Sequence, residues 1–238
     1  MIPRDKLKDE KYFIDYVSAR QEEYEHFFQL TESVIKEKGE SYEGVENGRF
    51  LMLRERYCLF FSLYSKGEPI EIIRQKFSEV VDAMEKALAS PDPFSELVWM
   101  VSIGILVEVD DIQFDRLVAL IERTDVHDYF IDYLINFRRP GRKIESSFLF
   151  ETLYGPFYKI IHADKNTAIE RLRDYLENVW YQENGELEAD WHNSHKSRHN
   201  TYFGYWSFET AAIVKIMGLD DTSLKDHSYY PYDMVHWK

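Results

Sequence analysis

The sequence predicts an all-α protein, and three observations carry that expectation. Apolar residues recur at helical steps of three, four and seven along most of the 238-residue chain. No stretch shows the sustained alternation, β-branched enrichment and hairpin turns of a sheet. The breaks between periodic segments are short and rich in Gly, Pro and Asp, the punctuation of successive helices. The expectation is a bundle of about nine or ten helices in antiparallel pairs, with room for two helical subdomains.

The elements follow in order. Phe13, Tyr16, Val17, Tyr24, Phe27, Phe28, Thr31, Val34 and Ile35 describe one stripe of a long amphipathic helix that stops near Gly39. A second helix covers the apolar stretch Phe50 to Tyr64 and ends at Gly67. Pro69 opens a third, with Ile70, Ile73, Phe77, Val80, Val81, Met84 and Leu88 on one side, and Ser90 to Pro93 breaks the chain. Phe94 to Val107 is apolar on nearly every side, which places it at the centre of the bundle. Asp110 or Asp111 caps the next helix, lined by Phe114, Leu117, Val118 and Ile121. After a turn at Thr124 and Asp125, Phe130, Tyr133, Leu134 and Phe137 mark another. Phe150, Leu153, Tyr154, Phe157, Ile160 and Ile161 predict a helix kinked at Gly155-Pro156. Ile169, Leu172, Leu176, Val179 and Trp180 predict one starting near Asp164. The segment RRPGRK, Arg138 to Lys143, interrupts helix and is strongly cationic, so the expected division is an N-terminal region 1–137 and a C-terminal region 144–238. Fixed-period repeats and low-complexity segments are absent from the sequence.

Charge narrows the function classes. With 43 acidic against 29 basic residues the net charge is −14, which repels phosphate backbones and anionic lipid at long range. Direct nucleic-acid or membrane binding is therefore not expected, whereas a basic protein partner would be steered in. The single cysteine, Cys58, lies in the apolar run YCLFFSLY, which raises its pKa and excludes an internal disulfide. The start of the sequence lacks a signal-peptide h-region, and the longest uncharged run, Leu97 to Val107, is too short to cross a bilayer. A cytoplasmic protein is the expectation.

Chemistry-bearing residues are few. His192, His195 and His199 stand three and four apart, a spacing that would gather three imidazoles on one helix face and could serve a metal-dependent hydrolase. Their neighbours Asn193, Ser194, Ser197 and Asn200 favour a loop instead, so no metal set is assigned. Glu209 is one of only two charged residues between Phe203 and Leu219, the other being Lys215. On a helix it shares a face with Tyr205, Ala212, Ile213 and Ile216, and a carboxylate there is either a catalyst of raised pKa or a structural tie. The tie is the favoured reading, because no nucleophile or second acid sits at a recognisable spacing. No glycine-rich phosphate loop, nucleophile elbow or CxxC pair is present, so neither catalytic residues nor a cofactor are assigned. The segment YQENGELEADW sets Tyr181 and Trp191 among Glu183, Glu186, Glu188 and Asp190 around Gly185. It is the candidate contact for a basic partner, with a solvated acidic loop as the alternative.

The C-terminal stretch from Gly204 to Trp237 holds three distinctive blocks: GYWSFE followed by alanines, GLDDTSLKD, and YYPYDMVH. They resemble the C-terminal pattern of the PoNi family, immunity proteins that neutralise PoNe-type DNase toxins. Thr210 stands where that pattern more usually has a small apolar residue, and Ser228 where proline is frequent. The resemblance implies an all-helical, non-enzymatic inhibitor. It would bind a cognate polymorphic toxin bearing a PD-(D/E)xK-type nuclease domain and block its DNA-binding or active site. Such toxins are delivered by contact-dependent systems, including type VI secretion, in interbacterial competition, as a toxin–antitoxin pair whose immunity partner stays in the producer's cytoplasm. A general acidic DNA mimic is the remaining alternative. The shared blocks, which begin at Gly204 and Tyr205, read as architecture: Trp206, Phe208, Ala211 and Ala212 permit close helix packing, and Glu209 is the internal tie. Gly218 ends a helix, Asp220 or Asp221 caps a turn, and Tyr230, Pro231, Tyr232 and Asp233 form an extended aromatic tail.

Overall fold

The structure, a computed structural model, describes residues 2–87 and 94–238; Leu88 and the break at Ser90–Pro93 lie outside the described residues. Among the described residues there are helices and no strand. In chain order they are α1 (Glu10–Lys38), α2 (Glu43–Lys66), α3 (Ile70–Ala87), α4 (Phe94–Leu106), α5 (Asp111–Arg123) and α6 (Tyr129–Arg138). Then come α7 (Glu151–Tyr154), α8 (Pro156–Ile161), α9 (Lys165–Asn178), α10 (Trp180–Glu186), α11 (Phe208–Met217) and α12 (Tyr232–Val235). Single 3₁₀ turns occupy Ser194–Lys196 and Thr222–Leu224. The helices divide into two compact units, Met1–Asp92 with Asp110–Thr124, and Pro93–Val109 with Asp125–Lys238. RRPGRK lies inside the second unit.

Aspartate starts many of the helices. Asp9 accepts from the backbone N–H of Tyr12, Asp110 from Gln113, Asp128 from Phe130 and Ile131, and Asp164 from Asn166 and Thr167. Each carboxylate satisfies an otherwise orphaned donor and sits at the positive end of the helix dipole. Gly39 and Gly67 follow the last turns of α1 and α2 at positive φ, where a side chain would be strained.

In the first unit α1 lies along α2. Thr31 meets Gly48, Arg20 pairs with Glu55 at 3.0 Å, and the Tyr16 hydroxyl faces the Cys58 thiol, so residue numbers rise on α2 as they fall on α1. The pair is antiparallel. A Cβ at Gly48 would stand 2.1 Å from Thr31 Oγ1, so glycine there permits the approach of the two helices. α3 covers the next face of α2 through the edge-on pair Phe60–Phe77, and Arg116 of α5 clasps Asp82 and Glu85 of α3 at 2.6 Å each. Burial, above all, pushes the Cys58 thiol up to about 11, so it is not a thiolate at neutral pH. The α1 stripe is shallower than its periodicity implies. Only Phe13, Tyr16 and Thr31 are buried, Tyr24 and Phe27 are half-buried, and Phe28 is 41 % exposed. Its principal neighbour is α2 alone, and one helix cannot cover so wide a stripe.

The second unit is built around α4, whose residues from Leu97 to Leu106 are all buried, against α6 and α11. Lys215 of α11 donates to the Leu106 carbonyl at 2.7 Å and pairs with Glu108 at 2.9 Å, occupying the carbonyl end of α4. On α6 the buried face is Phe130, Ile131, Leu134 and Ile135, and Phe137 is 47 % exposed rather than core-facing. Asp128 and Asp132 tie the segment after α6 back to it: Leu149 N–H donates to Asp128, and Glu145 N–H and Arg142 Nε donate to Asp132. The kink expected at Gly155-Pro156 is a one-residue interruption between α7 and α8, where Gly155 keeps helical dihedrals and Pro156 has no N–H to continue the ladder. No described helix is long and apolar enough to cross a membrane.

The Gly48 contact yields a test. Gly48→Ala should destabilise the protein by about 1–3 kcal/mol by overpacking. In urea unfolding, adding Thr31→Ala should restore most of that loss, because the clash is with the Thr31 hydroxyl.

Candidate partner-binding site

α10 and the segment after it form a compact aromatic assembly in the second unit. Asn184 donates to the Trp180 carbonyl at 2.7 Å and its own carbonyl accepts from Ala189, which turns the chain outward after α10. Gly185 belongs to the last turn of α10, where the sequence suggested a loop turn. Its missing side chain lets the His192 ring lie on the backbone: a Cβ there would be 2.6 Å from that ring. The ring of Tyr181 packs against His192 at 4.4 Å, Tyr205 at 5.2 Å and Tyr229 at 5.4 Å, the last stacked nearly parallel. Beneath it, Trp191 stacks on Trp180 at 5.3 Å and touches Trp99 and Tyr205.

The predicted contact residues thus separate into two layers. Glu186, Glu188 and Asp190 are exposed, Glu183 and Tyr181 are half-buried, and Trp191 is only 7 % exposed. Glu186, Glu188 and Asp190 make no ion pair among the described residues, so their charge faces solvent uncompensated. Glu188 takes positive φ at 57°. Trp191 serves the floor of the assembly. Tyr229 and Asn193, which bond or stack on Tyr181, were not singled out from the sequence. The only sign of Tyr229 was its place as the first residue of the YYPYD block.

The three histidines take separate partners. His192 lies on Gly185 and Tyr181, while His195 Nδ1 is 2.8 Å from the Tyr205 hydroxyl, which also accepts from the His195 N–H at 3.1 Å. His199 is exposed beside Arg198. Only Ser194–Lys196 is helical here, as a 3₁₀ turn, so the shared helix face does not form. Among the described residues no group of three His, Cys, Asp or Glu side chains could hold a metal ion. Burial pushes the Tyr205 hydroxyl up to about 12, so it stays protonated as the hub of this turn.

Glu209 sits under the assembly in the first turn of α11, fully buried. Gly204 to Ser207 is not helical, so Tyr205 does not share a helix face with Glu209. Trp180 Nε1 donates to Glu209 Oε1 at 2.6 Å, and among the described residues no donor lies within hydrogen-bonding geometry of Oε2. Burial raises the carboxyl from 4.5 to about 7, against the opposing pull of its own backbone N–H, Trp180, Ser207 and Trp99. Its neighbour Thr210 is buried with its hydroxyl on Ser207 Oγ at 2.7 Å, which is how a polar residue is accommodated there.

The remaining C-terminal blocks close the unit. Gly218 ends α11 in the left-handed region at φ 58°, and Asp220 accepts from Thr222 N–H and its hydroxyl. Asp221 instead accepts from the Tyr230 hydroxyl at 2.7 Å and lies 2.9 Å from His236 Nε2. Trp206, Phe208 and Tyr230 are buried. The tail is not extended after Pro231: Tyr232 and Asp233 open the short helix α12, which a proline at its N-terminal boundary favours.

Comparison with known proteins fits this all-helical, two-unit chain to an immunity protein. The model of "PoNe immunity protein (PoNi), N-terminal" matches residues 4–119, and that of "PoNe immunity proteins (PoNi), C-terminal" matches residues 126–234. The chain belongs to the PoNe immunity protein family. No curated protein matches it. The crystal structure of protein PA2201 from Pseudomonas aeruginosa is similar in fold, with a TM-score of 0.68 at 14 % identity over 99 % of this chain and 90 % of that one.

Two tests probe the site's support. Because the folded pKa of Glu209 lies above its unfolded value, its protonated form stabilises the fold. That contribution is complete below pH 4.5 and is lost as pH rises through about 7, a change of about 3 kcal/mol. Urea unfolding should show this loss in the wild type and not in Glu209→Gln. Asp221→Ala removes the carboxylate that accepts from the buried Tyr230 hydroxyl and should cost about 1–3 kcal/mol, with faster carboxypeptidase trimming of the tail.

Proposed function

We propose that this immunity protein is a stoichiometric, non-enzymatic inhibitor of a DNase toxin, acting in the cytoplasm by covering the toxin's basic DNA-binding or active site. The observation that carries this reading is the match of both family models along nearly the whole chain. The net charge of −14 supports it, because a nuclease must present cationic surface to a polyanion and an acidic protein is drawn to the same surface. So does the layered site: Glu183, Glu186, Glu188 and Asp190 supply charge, and Tyr181 supplies an aromatic contact on a fixed floor. Charges at the rim speed the encounter, and a desolvated ring slows dissociation.

The experiment is titration of the neighbouring toxin's DNA cleavage with purified protein. Cleavage should cease near one equivalent, and undiminished cleavage at that ratio would overturn the reading. Reversing Glu186, Glu188 and Asp190 to Lys should slow association about tenfold or more at low salt. Stopped-flow should find the dissociation rate changed much less.

A further inference from the structure

A second face, in the first unit, has the make-up of a docking surface. Between Gln21 and Ile35 the helix α1 carries Glu22, Glu23, Glu25 and Glu32 and no Lys or Arg. None of the four makes an ion pair among the described residues, in contrast to Glu55 and Glu79 on the neighbouring helices, which hold arginines. Gln21, Glu25, Phe28 and Glu32 recur at steps of four and three, so they share one exposed strip of α1.

Behind that strip lies a socket of about 210 Å³ between α1, α2 and α3, with Tyr24, Phe28, Met52 and Ala83 in its walls. Most of its rim charges are already matched, Lys86 being the one that makes no ion pair among the described residues. Arg56 lies over the Tyr24 ring at 4.0 Å and pairs with Glu79, Arg49 pairs with Glu40, and Asp82 pairs with Arg116. The socket is therefore suited to a neutral apolar side chain, and the strip beside it to cations. Binding hot spots have this design, a large side chain in a pocket ringed by charge that excludes water.

We propose that this face of α1, with its socket, is a second docking surface for the cognate toxin, receiving one large apolar side chain flanked by Lys or Arg. The inference rests on the immunity reading above and names a contact that the C-terminal acidic segment does not supply. Charge complementarity selects the occupant, since four unpaired carboxylates would repel one another across an interface with a second copy of this acidic chain.

The test is calorimetric titration of the full chain with the catalytically inactivated toxin encoded beside it. Phe28→Ser removes a wall of the socket and Ala83→Trp fills it. Each should weaken binding about tenfold or more, while Glu25→Lys with Glu32→Lys should weaken it most at low salt. Melting curves check that the variants fold, and Phe28→Ser, at a partly exposed site, is the safer of the first two. Wild-type affinity in folded Phe28→Ser and in the charge-reversal variant would overturn the proposal while leaving the immunity reading intact. So would a dimer of the free chain that Phe28→Ser dissociates. A wild-type chain that fails to bind the toxin would overturn both.

Discussion

The second unit depends on one buried contact, the indole N–H of Trp180 held by the carboxylate of Glu209. It joins α10 to the first turn of α11, and α11 in turn packs on α4, α6, α9 and α12. An isolated carboxylate in such surroundings is expensive, and the protein limits the cost in two ways. The first turn of α11 supplies a favourable dipole, and the raised pKa lets the group take up a proton near neutrality. A glutamine could keep the indole bond, so the acid is not needed for that contact alone. An apolar residue would leave the Trp180 N–H without an acceptor, which fixes why this buried position in a mostly apolar helix is polar.

The same tie reaches the surface through stacked rings. Trp180 supports Trp191, Trp191 supports Tyr205, and Tyr205 and Tyr229 flank Tyr181. Seven residues of α10 would be marginal as a helix alone. Clamped by this stack and by the Asn184 bonds, they present Glu183 and Glu186 with little freedom left to lose. A binding segment held in this way sheds less entropy on association, so a modest set of contacts goes further. The structural blocks and the proposed contact are thus one object: the buried stack sets the stiffness of the face.

The helices were legible because their periodicity and their caps are local properties. Asp110, Asp164, Gly39, Gly67 and Gly218 act where the sequence placed them. The misreadings share a cause, the contribution of residues distant in sequence. Phe137 and Phe28 fit their stripes, yet burial depends on which neighbour covers the helix, and periodicity is silent on that. His192, His195 and His199 have metal-like spacing only if the backbone is helical, and the turn around Tyr205 decides otherwise. Trp191 sits among acids in sequence and among indoles in space. Pro231 marks a boundary from either side, so the pattern YYPYD fits an extended tail and a new helix equally well.

A charge of −14 spread evenly would mostly work against folding through self-repulsion, but much of the acid here is already committed. Asp9, Asp110, Asp128 and Asp164 each answer the backbone donors at a helix start. Glu55, Glu79, Asp82, Glu85 and Asp132 hold arginines. Of the acids that make no ion pair among the described residues, two sets lie close together in sequence, Glu22 to Glu32 on α1 and Glu183 to Asp190 around the end of α10, while others such as Glu37, Glu71, Glu170 and Glu177 are dispersed. Repulsion among like charges held close together is relieved when cations arrive, so these stretches convert a cost in the free protein into attraction in a complex. A sequence selected only for solubility gains nothing from that concentration, whereas an inhibitor of a basic enzyme gains both speed and selectivity.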